Sequence, residues 1–431
     1  MVMQIRGPRV LIGLILGCVQ LLVLSAPLHA SLTLNSSLAV TETYTDNLFF
    51  ESQRNKRDDF GTFVIPSLNL TYRTKDVVLS GTYSGVAQFY VNNTNANAYT
   101  HNANFGIDLP FLTKRYKGLE IRLIESFNFT PAIQGYSFAG DASDQDTPLP
   151  GQQGQNGANA GGGLQGGGIA GLGTPIGNQG VFTGRGTNSF QNTAGINVRY
   201  SLSPRWIPNA RYTNNYVRFT DSDLNDSLTH NLGAGVSYVV SARTSLNVNY
   251  SAGISDIRRG DTVVTHNITG GVSHTVSPTI NFNANAGVSF TESAERVTFT
   301  TNSQITKAFN RGSMSLRYNQ GITTGGGLSQ SGVLTQTGAA TVSYPFTERV
   351  NGFAAAGISK NKSLSGNVVD VISYTGQVGL SAPLLSWLSG NISYSYIKQK
   401  SKGSAVGGRS AVANQGFIGL TARIPAWRIV R

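Results

Sequence analysis

The sequence predicts an all-β fold: a closed antiparallel transmembrane β-barrel of up-and-down topology, with about 18 strands (about 16–18) and a polar, water-filled lumen. Three observations predict it. About 18 segments of roughly ten residues alternate apolar and polar side chains, the length of a tilted strand that crosses a bilayer. The connections between them run short, long, short, long. Only 13% of the 431 residues are charged and 51 are glycine, against averages near 25% and about 7% in soluble domains. No run after residue 30 is apolar over the roughly 20 residues that a transmembrane helix needs.

The elements follow in order. Residues 1–30 read as a signal peptide: Arg6 and Arg9 form a basic start, "VLIGLILGCVQLLVLSA" an apolar core, and Ala30 the small residue at the cut. Ser31 is then expected to open the mature chain, and 31–431 to form the barrel. The only cysteine, Cys18, lies inside the leader. "ILGC" resembles a bacterial lipoprotein cleavage site, but the apolar run continues past it. A mature chain without cysteine has no disulfide, thiolate metal site or covalent haem motif, and no cofactor is expected.

The first strand, "SLTLNSSLAV", puts Leu32, Leu34, Leu38 and Val40 on one face. The third long connection, at about residues 131–186, has an uncharged Gly/Gln-rich middle. Such a composition reads as a disordered outer loop; its position is also that of the constriction loop of trimeric porins. Its glycines lack the strand-to-helix context and Gly-Lys-Ser/Thr of a phosphate loop. "HNLGAGVSYVV", "TSLNVNYSAGI", "TINFNANAGVSF", "ISYTGQVGL" and "SWLSGNISYSYI" then repeat the alternation. In "TINFNANAGVSF", Asn281, Asn283 and Asn285 oppose Phe282, Ala284 and Val288. A soluble sandwich would carry charge on its outer face. Here the polar face is Asn, Ser, Thr, Gly and Gln, so the asparagines are expected to face enclosed water and the apolar row lipid. Closure also satisfies every strand edge, as hydrocarbon demands.

Short connections include "YRTKD", "SLSPRW", "VVSART", "TVSPTI", "AFNRGS", "YPFTER" and "SAPLLS". An even strand count leaves both chain ends in the periplasm. Trp206 and Trp387 follow short turns and Trp427 lies near the chain end, so all three are expected in a periplasmic aromatic girdle. Tyr44, Phe89, Tyr216, Tyr394 and Tyr396 fall at the opposite rim.

The stretch Val40 to Asp76 carries a resemblance. Glu42, Tyr44, Asp46 and Asn47 match a Glu-x-Tyr-x-Asp-Asn motif within Thr41–Phe50, followed by Asp59–Phe60 and by Pro66 and Leu68. This resembles the start of a family of β-barrel porins, the PEP-CTERM system-associated outer-membrane β-barrel proteins. The motif covers roughly a tenth of the chain, and the remainder is similar in strand pattern. The resemblance implies an outer-membrane barrel, sometimes linked to exopolysaccharide export, and supplies no catalytic residues. The family's usual terminal aromatic, read by the barrel-assembly machinery, is replaced here by "GFIGLTARIPAWRIVR".

Lys and Arg number 33 against 21 Asp and Glu, a net charge of +12. Nucleic acid is not an expected partner of a chain bound for the outer membrane. Arg54, Lys56, Arg57, Arg258, Arg259, Lys360, Lys362, Lys398, Lys400 and Lys402 are assigned to outer loops, against membrane lipid and lipopolysaccharide phosphates. Within strands, Arg122, Arg199, Arg211, Arg317 and Arg423 have lumen parity, with Asp108 and Glu120 as the acids. Glu125 takes lipid parity, which suggests a bulge or a shifted register.

Chemistry is sparse. His101, His230 and His266 lie near the outer rim, and the last two share lipid parity. No Ser-His-acid set assembles with His274 or the others. "DASDQD" (Asp141, Asp144, Asp146) and "DSDLND" (Asp221, Asp223, Asn225) lack the glycine and bidentate glutamate of a calcium loop. The expected function is a passive, non-enzymatic outer-membrane pore for small polar or anionic solutes. The alternative is a barrel in an envelope export system with a periplasmic partner, or the barrel of an electron conduit.

Overall fold

The computed structural model describes residues 30–132, 187–220, 224–292, 295–323, 332–366, 368–403 and 410–430. Residues 1–29, the Gly/Gln-rich connection from 133 to 186 with the acids of "DASDQD", and Asp221 and Asp223 of "DSDLND" lie outside the described residues.

Eighteen strands form among the described residues: β1 (Ser31–Thr45), β2 (Asp59–Arg73), β3 (Val78–Tyr90), β4 (Ala98–Asp108), β5 (Leu119–Ala132), β6 (Thr187–Tyr200), β7 (Trp206–Phe219), β8 (Ser227–Ser241), β9 (Thr244–Ile257), β10 (Val263–Ser277), β11 (Ile280–Thr291), β12 (Arg296–Ala308), β13 (Ser313–Thr323), β14 (Val333–Pro345), β15 (Asn351–Ser363), β16 (Asp370–Pro383), β17 (Leu388–Ser401) and β18 (Ser410–Val430). Each pairs antiparallel with the next in sequence. β18 returns to pair with β1, so the sheet closes as an up-and-down barrel with no free edge. One end, here the turn end, carries connections of two to five residues apart from the ten-residue β4–β5 connection, and the other, the loop end, carries connections of four residues and upward.

Curvature separates the two faces. A closed wall spreads side chains on its convex side and crowds them on its concave side. Leu232 and Ile418, both 61% exposed, belong to the aliphatic parity, which is therefore convex. Ser255, Ser289, Ser359 and Ser373, all 0% exposed, belong to the other parity, which is concave. Asn281, Asn283 and Asn285 share that concave parity. They do not simply face open space. Thr275 Oγ1 donates to Asn281 Oδ1 at 3.0 Å and the Ser273 hydroxyl donates to Asn283 Oδ1, so hydroxyls of β10 satisfy the amides of β11 sideways.

Four details differ from the sequence reading. The connection between β4 and β5 holds a six-residue helix, α1 (Pro110–Arg115). Proline at its first turn starts it, and six residues are too few to show a 3.6 period. Second, Lys360 and Lys362 lie in β15, and Lys398 and Lys400 in β17, not in loops. Their strands extend past the apolar segment, which leaves Tyr394 and Tyr396 in the middle of β17 rather than at the outer rim. Third, Glu125 involves no bulge. It pairs in register with Phe105 and Ala194 on the convex side, and Asn192 Nδ2 donates to its Oε1. Fourth, β18 continues through Pro425. The β1–β18 register slips by one between Leu34 and Ser36, opposite that proline, which has no N–H to give the ladder.

Candidate functional site

The concave wall carries two unlike mouths. At the turn end it is open and charged. Asp108, Arg122 and Arg211 stand on one register line with Asn197, and Glu120 faces Arg199 one pair further toward the turns. Arg122 Nε lies 3.7 Å from Asp108 Oδ1, with both side chains about half exposed. Gly106 makes room for that guanidinium: a Cβ there would stand 3.4 Å from Arg122 Nη2 and 2.7 Å from Ser80 Oγ. Four consecutive strands, β4 to β7, thus bring five of the seven candidate lumen residues together. Arg317 and Arg423 are elsewhere. Arg317 sits on β13, where its Nη2 donates to Gln304 Oε1 at 3.2 Å. Arg423 sits on the concave face of β18, opposite Ser37. The five arginines form a one-sided group with two satellites, not a ring.

At the loop end the concave wall is buried and partly apolar. The β1–β2 loop folds inward. Its Leu48, fully buried, packs with Phe63, Ile65, Val86, Tyr90, Ala96 and Phe417, with Ala39 and Phe49 against them. Phe50 meets Ala411 and Ala413. A second contact crosses the barrel. Phe219 at the end of β7 and Leu224 in the β7–β8 loop pack against Val333, Val369 and Val371 of β14, the β15–β16 loop and β16. β7 and β14 are seven strands apart in the sheet, so this contact spans the mouth. The sequence reading missed these residues, although a signal was present. "FVI" at Phe63–Ile65 is apolar on both parities, which means that both faces are covered.

Polar clamps hold the inward loop. Asp46 accepts hydrogen bonds from the Asn414 backbone N–H at 2.7 Å and its Nδ2 at 2.8 Å, and pairs with Lys56 Nζ at 2.8 Å. Asn47 Nδ2 donates to the carbonyls of Glu51 and Val412 at 2.8 and 2.9 Å. Burial pushes the Asp46 carboxyl up. The bonds from Lys56 and Asn414, with the Lys56 charge, outweigh it and hold the group below its ordinary value. Asp59 accepts from the backbone N–H groups of Asn92 and Asn93 at 3.0 and 2.8 Å, tying the β3–β4 loop to β2. Tyr44 and Phe60 pack outside with tilted rings, centroids 4.9 Å apart. The motif residues therefore join the first strand to the last and order the loops beside that seam.

The histidines stay on the convex side. Tyr83–His101, Tyr212–His230 and Tyr250–His266 repeat one pattern, each phenol within 2.8–2.9 Å of the imidazole Nδ1. Glu292 Oε1 lies 3.2 Å from His266 Nε2, the register neighbours of His266 are Ala252 and Phe290, and the hydroxyl at its ring is the Tyr250 phenol rather than a serine or threonine. Among the described residues no group of three His, Cys, Asp or Glu could hold a metal ion. Trp206, Trp387 and Trp427 are all exposed at the turn end, and Trp206 packs against Tyr238 with tilted rings, centroids 4.7 Å apart.

No family model matches this sequence, and no curated protein matches it. Solved structures similar in fold include three Pseudomonas aeruginosa proteins, of which the first is described as an outer-membrane protein. OpdK is 11% identical, with 91% of this chain and 99% of that one covered and a TM-score of 0.45. OpdO (OccK3) is 8% identical, with 91% and 95% covered and a TM-score of 0.43. A mutant of the ferric enterobactin receptor PfeA is 6% identical, with 91% and 80% covered and a TM-score of 0.45. At that distance the fold stands on the strand pairings themselves.

Proposed function

We propose that the protein is a non-enzymatic barrel of the bacterial outer membrane that passes small polar or anionic solutes through its interior. The turn end faces the periplasm, and the leader is removed after Ala30. The observation that carries the reading is the open turn-end mouth, where three arginines on adjacent strands meet two acids. Wide antiparallel barrels enclose water, and a small charge excess between low-dielectric walls biases which ion enters. The convex aliphatic belt supports the membrane assignment, because only a closed sheet satisfies its backbone in hydrocarbon. Purified protein in a planar bilayer should give stable open steps; persistent silence after the loop-end contacts are loosened would refute a pore.

A second reading has its own support. The apolar closure of the loop end and the seam motif suit a barrel that opens only with a partner, as in envelope export. Co-purification with a periplasmic protein, together with bilayer silence of the protein alone, would favour it.

A further inference from the structure

Four lysines crowd the convex face near the loop end. Lys360 and Lys400 flank Ile372 on one register line, Lys398 flanks Tyr374 on the next, and Lys362 stands opposite Asp370. All four share the parity of Ile358 and Tyr394, so their stems run along the side that meets the membrane. None belongs to a salt bridge among the described residues, and Asp370 is the one acid on that face of the three strands.

Beside them an apolar groove of about 810 Å³ slants across the wall, from Phe346 and Gly352 at the turn end to Tyr44 and Phe60 at the loop end. It follows one register line across the wall: Val342, Ala354, Val378, Tyr394, Gly416 and then Tyr44. Its floor is low because Ala354 and Gly416 interrupt the larger side chains. A Cβ added at Gly416 would meet no atom within 4 Å. Lys398 and Lys400 lie four and six residues along β17 from Tyr394, about 13 and 20 Å of strand at roughly 3.3 Å per residue, which a tilt of about 40° turns into about 10 and 15 Å of membrane depth. One leaflet of hydrocarbon is about half of 30 Å. The lysines therefore stand at headgroup height when acyl chains lie in the groove.

We infer that this face of β14–β18 is a specific binding site for a phosphorylated, multiply acylated outer-leaflet glycolipid of the lipid A type. The lysine ammoniums take its phosphates and the groove takes acyl chain. An inner-leaflet phospholipid does not fit, because the cations sit at the opposite rim. The inference rests on the proposed outer-membrane orientation.

Refolded protein in non-ionic detergent is titrated with bis-phosphorylated lipid A and followed by native mass spectrometry. One retained lipid A is expected. The triple variant Lys360→Gln, Lys398→Gln, Lys400→Gln should weaken binding about a hundredfold, at about fivefold for each lysine near a membrane surface. Should the triple variant fold poorly, Lys398→Gln alone should lose about fivefold, and wild-type affinity should fall with added salt. Gly416→Leu should weaken phosphorylated and dephosphorylated lipid A alike. Inorganic phosphate should not compete. Equal binding by the lysine variants, competition by free phosphate, or the same loss from Lys114→Gln with Lys117→Gln at the turn end would overturn the site. Bilayer recordings on the same preparation separate the two readings: an open channel that ignores lipid A sinks only this inference, and a barrel that binds lipid A but stays silent after the loop-end contacts are loosened sinks only the pore.

Discussion

The two ends of one interior are built from opposite materials. At the loop end, concave side chains such as Phe63, Ile65 and Phe417 are packed under an inward loop and a contact crosses the mouth. At the turn end, Arg122, Asp108 and Glu120 stand exposed on the same concave wall. The strands that build both ends are the same strands. A period of two sorts side chains between faces, but it does not say whether the inner face is open. That depends on what the connections do once the barrel has closed.

The largest effect should come from the apolar end. Phe63→Ala should cost about 3–5 kcal/mol, because it empties a buried aromatic site. Heat-modifiable gel mobility would report it as a lower unfolding temperature. A variant as stable as the wild type would mean that the loop-end cluster contributes nothing.

Next comes the face assignment. Ala284→Arg puts a guanidinium on the convex side and should cost about 2–4 kcal/mol. Asn283→Leu, its concave neighbour, should assemble nearly normally. The reverse order of folding yields would invert the two faces.

A third change should act on opening more than on stability. Leu224→Ser with Val369→Ser weakens the contact that crosses the mouth. Single-channel conductance should rise severalfold with little change in unfolding temperature. Unchanged conductance would show that solutes do not pass between those loops.

Acid should do the same more weakly. The Asp46 carboxyl titrates below its ordinary 3.8 in the folded chain. Its contribution is complete above that pH and is lost as pH falls through the lower folded value. Protease nicking of the β1–β2 loop should therefore rise only in strong acid. Asp46→Asn should make nicking insensitive to pH, and a variant that keeps the acid response would place the titrating group elsewhere.

The smallest effect belongs to the charged end. Replacing Arg122, Arg199 and Arg211 with Gln should shift the reversal potential in a potassium chloride gradient toward cations. The shift should be modest, since Asp108 and Glu120 already offset two arginines and 0.1 M salt screens over about 10 Å. Arg317→Gln alone should shift it less, because Arg317 stands apart. Equal shifts from both would contradict the grouping on β4–β7.

The sequence by itself determined the wall. Alternation such as Leu246-Asn247-Val248-Asn249-Tyr250 has one stable solution when the polar partner is neutral amide and hydroxyl, and short and long connections order the strands. Parity also put Arg122, Arg199 and Arg211 on a common face of the sheet, because side-chain direction is a local property of a strand. Clustering was not legible. Arg122, Arg199 and Arg211 come together only through registers set by the β5–β6 and β6–β7 pairings. Nor was the closed mouth. Leu224 and Val369 are far apart in the chain, and their contact exists only after eighteen strands have bent round to face each other. The lysines followed the same rule: Lys360 and Lys398 read as loop residues until the pairing of β15, β16 and β17 carried the strands past the apolar belt. Local periodicity is written residue by residue, whereas contacts across a barrel depend on closure, which no window of sequence contains.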